Sequence, residues 1–300
     1  MTSVIATIGT FDGVHQGHRH ILSELCTMAD NLNATPAVVT FTNHPLQIIK
    51  PEAAPPLLTT PDEKRSLLLE AGASVIIMKP FSQQTRQLTA TQFMKLLHER
   101  YDVDTIMLGF NNRFGAGPHT SFEETRQQAK AMGINLLQAS EAKLHGDPIS
   151  STIIRNHLLN RQLHEANTLL GRPYTLTGTV VHGKQIGRTI GFPTANIQPD
   201  SPHKLIPANG VYACMATLAS GKTYPAMVNI GRRPTVDPAS PTISIEAHII
   251  GIDKKLYGQS VTISFIHMLR EEQKFSSLQN LRTQLQQDKI NALNRLEFNK

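Results

Sequence analysis

The chain has 300 residues, 40% of them hydrophobic, which is enough for one large core or two ordinary ones, and two is the expected number. The sequence has no long apolar segment and no basic-then-apolar start, so we expect neither a transmembrane helix nor secretion. Residues 173–300 account for the whole net charge of +6, but no basic run interleaved with aromatics is present, which disfavours a nucleic-acid surface and fits small phosphorylated ligands.

The first predicted element is a buried strand, Val4 to Ile8, followed directly by the segment Gly9-Thr10-Phe11-Asp12-Gly13-Val14-His15-Gln16-Gly17-His18. Apolar residues at helical spacing from Ile21 to Leu32 predict a helix next. His15 and His18 therefore lie three residues apart in its first turn, where they share a face. Free backbone N–H groups and the helix dipole predict a phosphate site there. Two plain surface histidines are the alternative, and a metal site lacks a third ligand.

The following elements alternate between strands and helices. Four apolar, β-branched runs predict buried parallel strands at Ala37–Phe41, Ser74–Met78, Asp104–Gly109 and Ile134–Leu137. Capping-box spacings predict helix starts at Thr60 with Glu63, at Thr89 with Gln92 and at Ser121 with Glu124. The alternation predicts a doubly wound α/β domain whose ligand site lies at the carboxyl ends of the strands.

The triplet Ser150-Ser151-Thr152 stands at the start of a helix predicted from Thr152 to Leu170, which Gly171 and Pro173 end. Three hydroxyls and a helix N-terminus can donate to phosphate oxygens, and Arg155 adds a cation one turn further on. An ordinary N-cap is the alternative interpretation.

Beyond Pro173 the pattern changes to short strands broken by Gly, Pro, Asn and Asp. Five runs predict an antiparallel sheet or barrel: Thr175–Val181, Val211–Leu218, Lys222–Ile230, Ile243–Ile250 and Ser260–Ile266. A C-terminal helix is predicted from about Ser276, capped with Gln279, with one side formed by Leu278, Leu281, Leu285, Leu293 and Leu296. We therefore predict two domains, 1–172 and 173–300.

Polar groups suited to nucleotide chemistry recur in the second half. Thr194 and Asn196, in Pro193-Thr194-Ala195-Asn196, offer a hydroxyl and an amide oxygen, and hard cations such as Mg²⁺ take oxygen ligands. Gly183 and Gly187 would let a loop approach phosphates closely, with a flexible hairpin loop as the alternative.

Two more patterns in this half have competing interpretations. Glu246 lies within an apolar strand pattern, where a salt-bridged or exposed carboxylate is the alternative to a general base. Ser220-Gly221-Lys222-Thr223 ends like a P-loop, but Ala216 stands where that motif needs a Gly, and no helix follows. A hairpin turn is therefore predicted at this position.

The motifs together carry a resemblance to a known family. His15-Gln16-Gly17-His18 after the first strand resembles the nucleotidyltransferase signature, and Pro193-Thr194-Ala195-Asn196 resembles riboflavin kinases. From residue 4 to about residue 290, the chain resembles the bacterial bifunctional riboflavin kinase/FAD synthetase family. The resemblance implies that riboflavin and ATP give FMN, and that FMN and ATP then give FAD and pyrophosphate. It also implies a six-stranded Greek-key barrel for the second domain.

The same resemblance implies roles for the residues that match the family's motifs. Catalytic roles are implied for His15, His18, Arg155 and, as the general base of the kinase, Glu246. Nucleotide contacts are implied for Gly9, Phe11, Asp12, Gly17, Asn111, Ser150, Ser151, Thr152, Gly183, Lys184, Gly187 and Thr194. Flavin contacts are implied for His44, Asn112 and Arg270, and Mg²⁺ that accompanies ATP is implied at Thr194 and Asn196. For Arg270, which could also bind phosphate, a surface ion pair is the alternative.

The chain departs from the family pattern at two positions near the expected flavin side. Asn112 replaces an aromatic residue, and Thr42 stands where a Glu is often found. One alternative is therefore a kinase whose first domain has degraded into a scaffold. A second is a non-catalytic protein that binds flavin or RNA. The intact phosphate-handling residues in both halves argue against these alternatives.

The two cysteines, Cys26 and Cys214, lie far apart in apolar patterns, which favours buried free thiols in a reducing cytoplasm. We expect ATP, riboflavin and FMN as partners, with no nucleic acid and no membrane. The sequence does not determine the oligomeric state.

Overall fold

The computed structural model describes residues 3–110, 114–117, 121–144, 147–183, 187, 190–233, 242–252 and 254–297. The chain divides into two units, Met1–Ser151 and Thr152–Lys300. Among the residues so described, no helix combines the length and the apolar composition that crossing a membrane requires.

The first unit is built on a parallel sheet of five strands in the order β3-β2-β1-β4-β5. These strands are β1 (Val4–Ile8), β2 (Thr35–Phe41), β3 (Val75–Lys79), β4 (Val103–Leu108) and β5 (Asn135–Gln138). The predicted doubly wound fold is confirmed. The direction of winding changes between β1 and β4, and ligands of such sheets bind beside the carboxyl ends of the strands at that point.

Helices α1 (Gln16–Leu32), α2 (Leu46–Ile49), α3 (Pro61–Glu70), α4 (Gln83–Gln87), α5 (Ala90–Tyr101) and α6 (Phe122–Ala131) connect these strands, with a 3₁₀ turn at Pro51–Ala53. All three predicted capping boxes, at Thr60, Thr89 and Ser121, are formed. The short helices α2 and α4 were not predicted, because four or five residues show no helical period. Two short strands, β6 (Lys143–Leu144) and β7 (Asp147–Pro148), close the unit.

The core of this unit lies on both faces of the sheet. Ala6 and Ile8 of β1 pack with the α5 residues Met94 and Leu97 on one face. Ile5, between them in sequence, packs on the other face with residues of α1 and α3. Successive side chains of a strand point to opposite faces, so β1 is apolar on both sides, as a buried parallel strand must be.

The second unit begins with two helices, α7 (Ser151–Leu159) and α8 (Leu163–Leu170), where a single helix was predicted. The break is at Arg161, whose φ of +64° is left-handed. The backbone N–H of Gln162 returns to the carbonyl of His157, which is the bond that ends a helix in a Schellman motif. The prediction was wrong here because the leucine spacing runs on across the break. Gly171 does end α8, in the left-handed conformation.

A closed antiparallel barrel of six strands follows, in the order β10-β11-β12-β9-β8-β13, and confirms the predicted barrel. Its strands are β8 (Tyr174–Val181), β9 (Ala195–Pro199), β10 (Gly210–Leu218), β11 (Thr223–Arg233), β12 (Thr242–Ile249) and β13 (Ser260–Arg270). The sequence pattern missed β9, because Asn, Pro and Ala are depleted in strands. The predicted turn joins β10 and β11, where the Leu218 amide donates to the Lys222 carbonyl.

Helix α9 (Leu278–Glu297) packs on the outside of the barrel, with Ala292 and Leu296 against Met227 of β11. The helix begins close to its predicted start near Ser276, but the predicted pairing with Gln279 was wrong, since the hydroxyl of Ser277 accepts from the Asn280 amide. Leu278 was predicted on the apolar side of this helix, yet it is 60% exposed because it precedes the packed turns.

Candidate active sites

The turn after β1 is held in an unusual conformation by its core contacts. Phe11 and Val14 have φ values of +47° and +39°, which are costly for residues with a Cβ. Both side chains are almost completely buried in the core below the turn. Burial of these two apolar side chains therefore stabilises the strained backbone that leads from β1 into α1.

Asp12 fixes this turn against the segment that precedes α3. Its Oδ2 accepts from the Leu58 amide at 3.0 Å, and its Oδ1 accepts from the amide and hydroxyl of Thr59 at 3.0 and 3.1 Å. The Gly13 amide in turn donates to the Thr59 hydroxyl at 3.1 Å. Because both carboxylate oxygens have protein partners, we expect Asp12 to serve the nucleotide through the backbone it holds.

The structure brings the two histidine rings together at the start of α1. His15 is the N-cap residue, and its Nδ1 accepts from the His18 amide at 3.3 Å. The two rings stack with centroids 3.6 Å apart and planes 16° apart. A Cβ at Gly17 would lie 3.2 Å from the His15 ring, so a larger residue would disturb the pair. Gly9 is similarly restricted, since a Cβ there would lie 3.0 Å from the Phe11 ring.

Ser151 contacts the same turn. The hydroxyl of Ser151, the first residue of α7, donates to the Asp12 carbonyl at 2.8 Å. Ser150 precedes it in the same unit, whereas Thr152 and Arg155 follow on α7 in the second unit. The Arg155 side chain is buried.

Aromatic and amide side chains meet beyond the ends of β2 and β3. The Asn43 side chain pairs with the Phe81 backbone in both directions, at 3.1 and 2.7 Å, and Phe81 packs edge-on against Phe41. His44 begins the next turn, with its Nδ1 accepting from the Leu46 amide at 3.1 Å. The predicted Asn111 and Asn112 lie outside the described residues.

In the barrel, strand register aligns three polar residues that are far apart in sequence. Glu246 of β12 is directly opposite Asn229 of β11 on one side and Asn196 of β9 on the other. Directly opposite residues point to the same face of an antiparallel pair. The Thr194 hydroxyl also donates to Glu246 Oε2 at 3.4 Å.

Glycines allow the chain to pass close to these groups. A Cβ at Gly183 would lie 2.0 Å from the Asn196 amide nitrogen, and one at Gly187 would lie 2.2 Å from the Phe192 carbonyl. Both positions therefore require glycine for the close approach. Lys184, which was predicted to bind nucleotide, lies outside the described residues.

Glu246 lines a pocket of about 290 Å³ between the barrel wall and α9. Its walls include the apolar side chains of Phe192, Met227, Phe275 and Leu285. His248 also lines it, with Nδ1 within 2.8 Å of the Pro193 carbonyl, and burial lowers the pKa of this histidine below its ordinary value. Sequence analysis assigned no role to His248, since a single histidine in a strand does not by itself indicate one.

Arg270 lines this pocket, but its guanidinium is held by protein groups. Its Nε and Nη2 bind the buried carboxylate of Asp288 on α9, at 2.7 to 3.1 Å, and its Nη1 donates to the Glu271 carbonyl at 2.9 Å. If Arg270 contacts the flavin as predicted, it does so with a charge that is already paired with Asp288. Sequence analysis missed Asp288 because it faces Arg270 only after α9 has docked.

A second pocket, of about 500 Å³, lies across Thr194 from the first. Lys254, Lys255 and Tyr257 line it together with apolar residues of β8, β9 and β12. The Tyr257 ring stacks on His182, with centroids 4.0 Å apart. Thr194 thus lies between an apolar pocket and a pocket with cationic side chains.

A doubly wound unit with a histidine pair at a helix start, joined to a barrel with a carboxylate at its wall, defines a two-site transferase. Models of two families match the chain: FAD synthetase over residues 1–153 and riboflavin kinase over residues 170–296. The chain belongs to the bifunctional riboflavin kinase/FMN adenylyltransferase family.

Relatives of that name are similar along nearly the whole chain. The protein from Haemophilus influenzae is 35% identical, over 94% of this chain and 91% of the relative. The protein from Escherichia coli K12 is also 35% identical, over 96% of this chain and 91% of the relative. A crystal structure described as a macrolide-efflux protein from Streptococcus pneumoniae is 28% identical, covers 98% of this chain and 94% of that one, and has a TM-score of 0.88. That likeness extends the shared fold to both units.

Proposed function

We propose that the chain makes FAD from riboflavin in two steps, first phosphorylating riboflavin to FMN with ATP and then adenylylating FMN with release of pyrophosphate. The observation that carries this function is that each unit holds its own set of phosphate-handling groups, the stacked histidine pair in one and the row around Glu246 in the other. Because the family models match both parts of the chain, the alternative of a kinase with a degraded first domain is not favoured.

In the adenylyl transfer step, a phosphate oxygen of FMN attacks the α-phosphorus of ATP, and pyrophosphate leaves. We assign His15 and His18 to the charge that develops on the transferring group, with support from their position at the positive end of α1. Ser150, Ser151, Thr152 and Arg155 would bind phosphate oxygens, and His44 would contact the flavin. No covalent nucleophile is needed, since positioning and electrostatics suffice.

In the kinase step, we assign Glu246 as the general base. Its carboxylate would take the proton of the ribityl 5′-hydroxyl while that oxygen bonds to the γ-phosphorus and ADP leaves. The apolar walls of the 290 Å³ pocket support a place for the flavin ring beside this carboxylate. The pocket with Lys254 and Lys255 supports a place for the nucleotide. Gly183, Lys184 and Gly187 would contact its phosphates.

The donor set around Thr194 fits Mg²⁺. The hydroxyl of Thr194 and the amide oxygen of Asn196 are hard ligands, and the backbone at Gly183 passes close to the Asn196 side chain. When bound with ATP, the ion would supply positive charge against the phosphate oxygens. Thr194 and Asn196 would therefore set where the nucleotide lies relative to Glu246.

We further propose 1–172 and 173–300 as the adenylyltransferase and kinase domains, and a cytoplasmic location. The change from α/β to barrel supports the first proposal, although helix α8 packs with the barrel, since the Asn167 amide donates to the Phe265 carbonyl at 2.9 Å. The free cysteines support the cytoplasmic location. Cys214 is buried as predicted, whereas Cys26 is half-buried, so the expectation that both thiols are buried was wrong for Cys26.

Incubation of the chain with riboflavin, ATP and Mg²⁺, followed by chromatography, tests the proposed function. We expect FMN to appear first and FAD to follow. Supply of FMN in place of riboflavin should give FAD directly. FMN without FAD under both conditions would leave the kinase step only, and neither product would contradict both steps.

A further inference from the structure

Lys64 of α3 is a buried cation that none of the sequence motifs includes. Its residue is 4% exposed, and its Nζ donates to the carbonyls of Thr10 at 2.8 Å and Phe41 at 2.7 Å. Burying an ammonium group is costly unless hydrogen bonds compensate. A residue of this kind is expected where the bonds it makes matter for the arrangement of a site.

The two carbonyls belong to the two segments that we assign to the substrates of adenylyl transfer. Thr10 lies in the turn that leads to His15 and His18. Phe41 is the last residue of β2, directly before the segment of residues 42–44. Lys64 therefore ties the end of β1 to the end of β2 beside the point where the sheet changes its winding.

The residues just before α3 make a second set of hydrogen bonds to the turn between β1 and α1. Asp12 is bound by the amides of Leu58 and Thr59, just before the capping box at Thr60 that begins α3. The turn is thus fixed through Thr10 by Lys64 and through Asp12 by the residues that precede the helix. The segment from Leu58 to Lys64 therefore makes hydrogen bonds to both substrate segments.

We propose that Lys64 is a positioning residue for adenylyl transfer, which holds the histidine turn and the segment at residues 42–44 at a fixed separation. This inference rests on the proposed function of the first unit. Lys64 acts through the backbone of its two partners. Loss of the tie should therefore weaken the binding of both ATP and FMN, as well as slow the reaction between them.

The test compares Lys64→Met with two controls in the purified full chain. Thr40→Val removes a neutral hydrogen bond, 3.1 Å long, to the same Thr10 carbonyl but leaves Phe41 alone. Lys95→Met removes a lysine whose side chain is 63% exposed, on α5 of the same unit. The measured quantities are KM for ATP, KM for FMN and kcat of FAD formation, together with the thermal unfolding profile.

For Lys64→Met we expect both KM values to rise by about tenfold or more, the size of a lost charge-assisted hydrogen bond, with smaller changes in Thr40→Val and none in Lys95→Met. A purely structural role would lower the folded fraction and kcat but leave both KM values at those of the parent, and that result would overturn the inference. If Lys64→Met does not fold, the shorter and neutral Lys64→Gln takes its place, with the same rise expected and the same result overturning it. A parent chain that makes no FAD would instead contradict the proposed function.

Discussion

The two units place their phosphate-handling groups in opposite ways. In the first, both histidines lie within one turn of one helix, and a backbone turn with left-handed Phe11 and Val14 sets their position. In the barrel, Asn196, Asn229 and Glu246 meet only through strand register, and a helix from the far end of the chain closes the pocket beside them. The first site therefore depends on local backbone conformation, and the second depends on long-range packing.

The sharpest way to separate the two sites is the substitution Glu246→Gln. Glutamine keeps the size of the side chain but does not accept a proton at neutral pH, so kinase turnover should fall by roughly 10²–10⁴-fold. Riboflavin binding should change little, because only the transition state needs the carboxylate. Assays with riboflavin and with supplied FMN measure the two reactions separately. Unchanged kinase turnover would make Glu246 only a strand residue.

The dependence of the barrel pocket on α9 is tested by Asp288→Asn. The substitution leaves the charge of Arg270 without its buried partner, which should cost about 3–5 kcal/mol in the free energy of unfolding of the second unit. Glu271→Gln is the matched control, because its ion pair with Arg161 is exposed on both sides and should contribute about 1 kcal/mol or less. Denaturant unfolding measures both. Equal small losses would show that the Arg270–Asp288 pair does not hold the helix.

The local character of the first site is tested by His15→Ala and His18→Ala. Each should raise the barrier of FAD formation by about 2–4 kcal/mol, because charge on the transferring group loses its stabilisation. FMN formation by the same preparations should stay near that of the parent chain and serves as the internal control. FAD synthesis at the parent rate in both variants would remove the histidine pair from the mechanism.

The burial of Lys64 predicts a smaller effect on stability that depends on pH. Burial lowers the pKa of Lys64 to about 8 from an ordinary value of 10.5. Between these values the unfolded chain binds more protons than the folded chain, so the stability of the parent should rise with pH relative to Lys64→Met. From pH 7.5 to pH 9.5 we expect a gain on the order of 1–2 kcal/mol in urea unfolding. A constant difference between the two proteins would contradict the burial of the cation.

The same contrast explains how much the sequence could predict. Two local features depend on residues that are three apart: the capping boxes, at Thr60, Thr89 and Ser121, and the histidine pair. A short stretch of sequence is therefore enough to predict their geometry. The two bonds that tie Lys64 to Thr10 and Phe41 span 54 and 23 residues and have no such signature.

In the barrel, the residues that escaped prediction all depend on packing between distant segments. Strand β9 was missed because its own residues disfavour strands and only its neighbours pair it. Asp288 meets Arg270 only after α9 docks on the barrel. Family resemblance supplied Glu246 and Asn196, since the strand pattern alone favoured an ordinary carboxylate.

Mixing two variants, each deficient in one of the two reactions, tests the central claim, that the two sites act independently. Neither Glu246→Gln nor His15→Ala alone should convert riboflavin to FAD at an appreciable rate. The mixture, supplied with riboflavin, ATP and Mg²⁺, should form FMN on the His15 variant and FAD on the Glu246 variant. FAD in the mixture is the result that we predict. No FAD, while each variant still performs its remaining step by itself, would contradict the independence of the two sites.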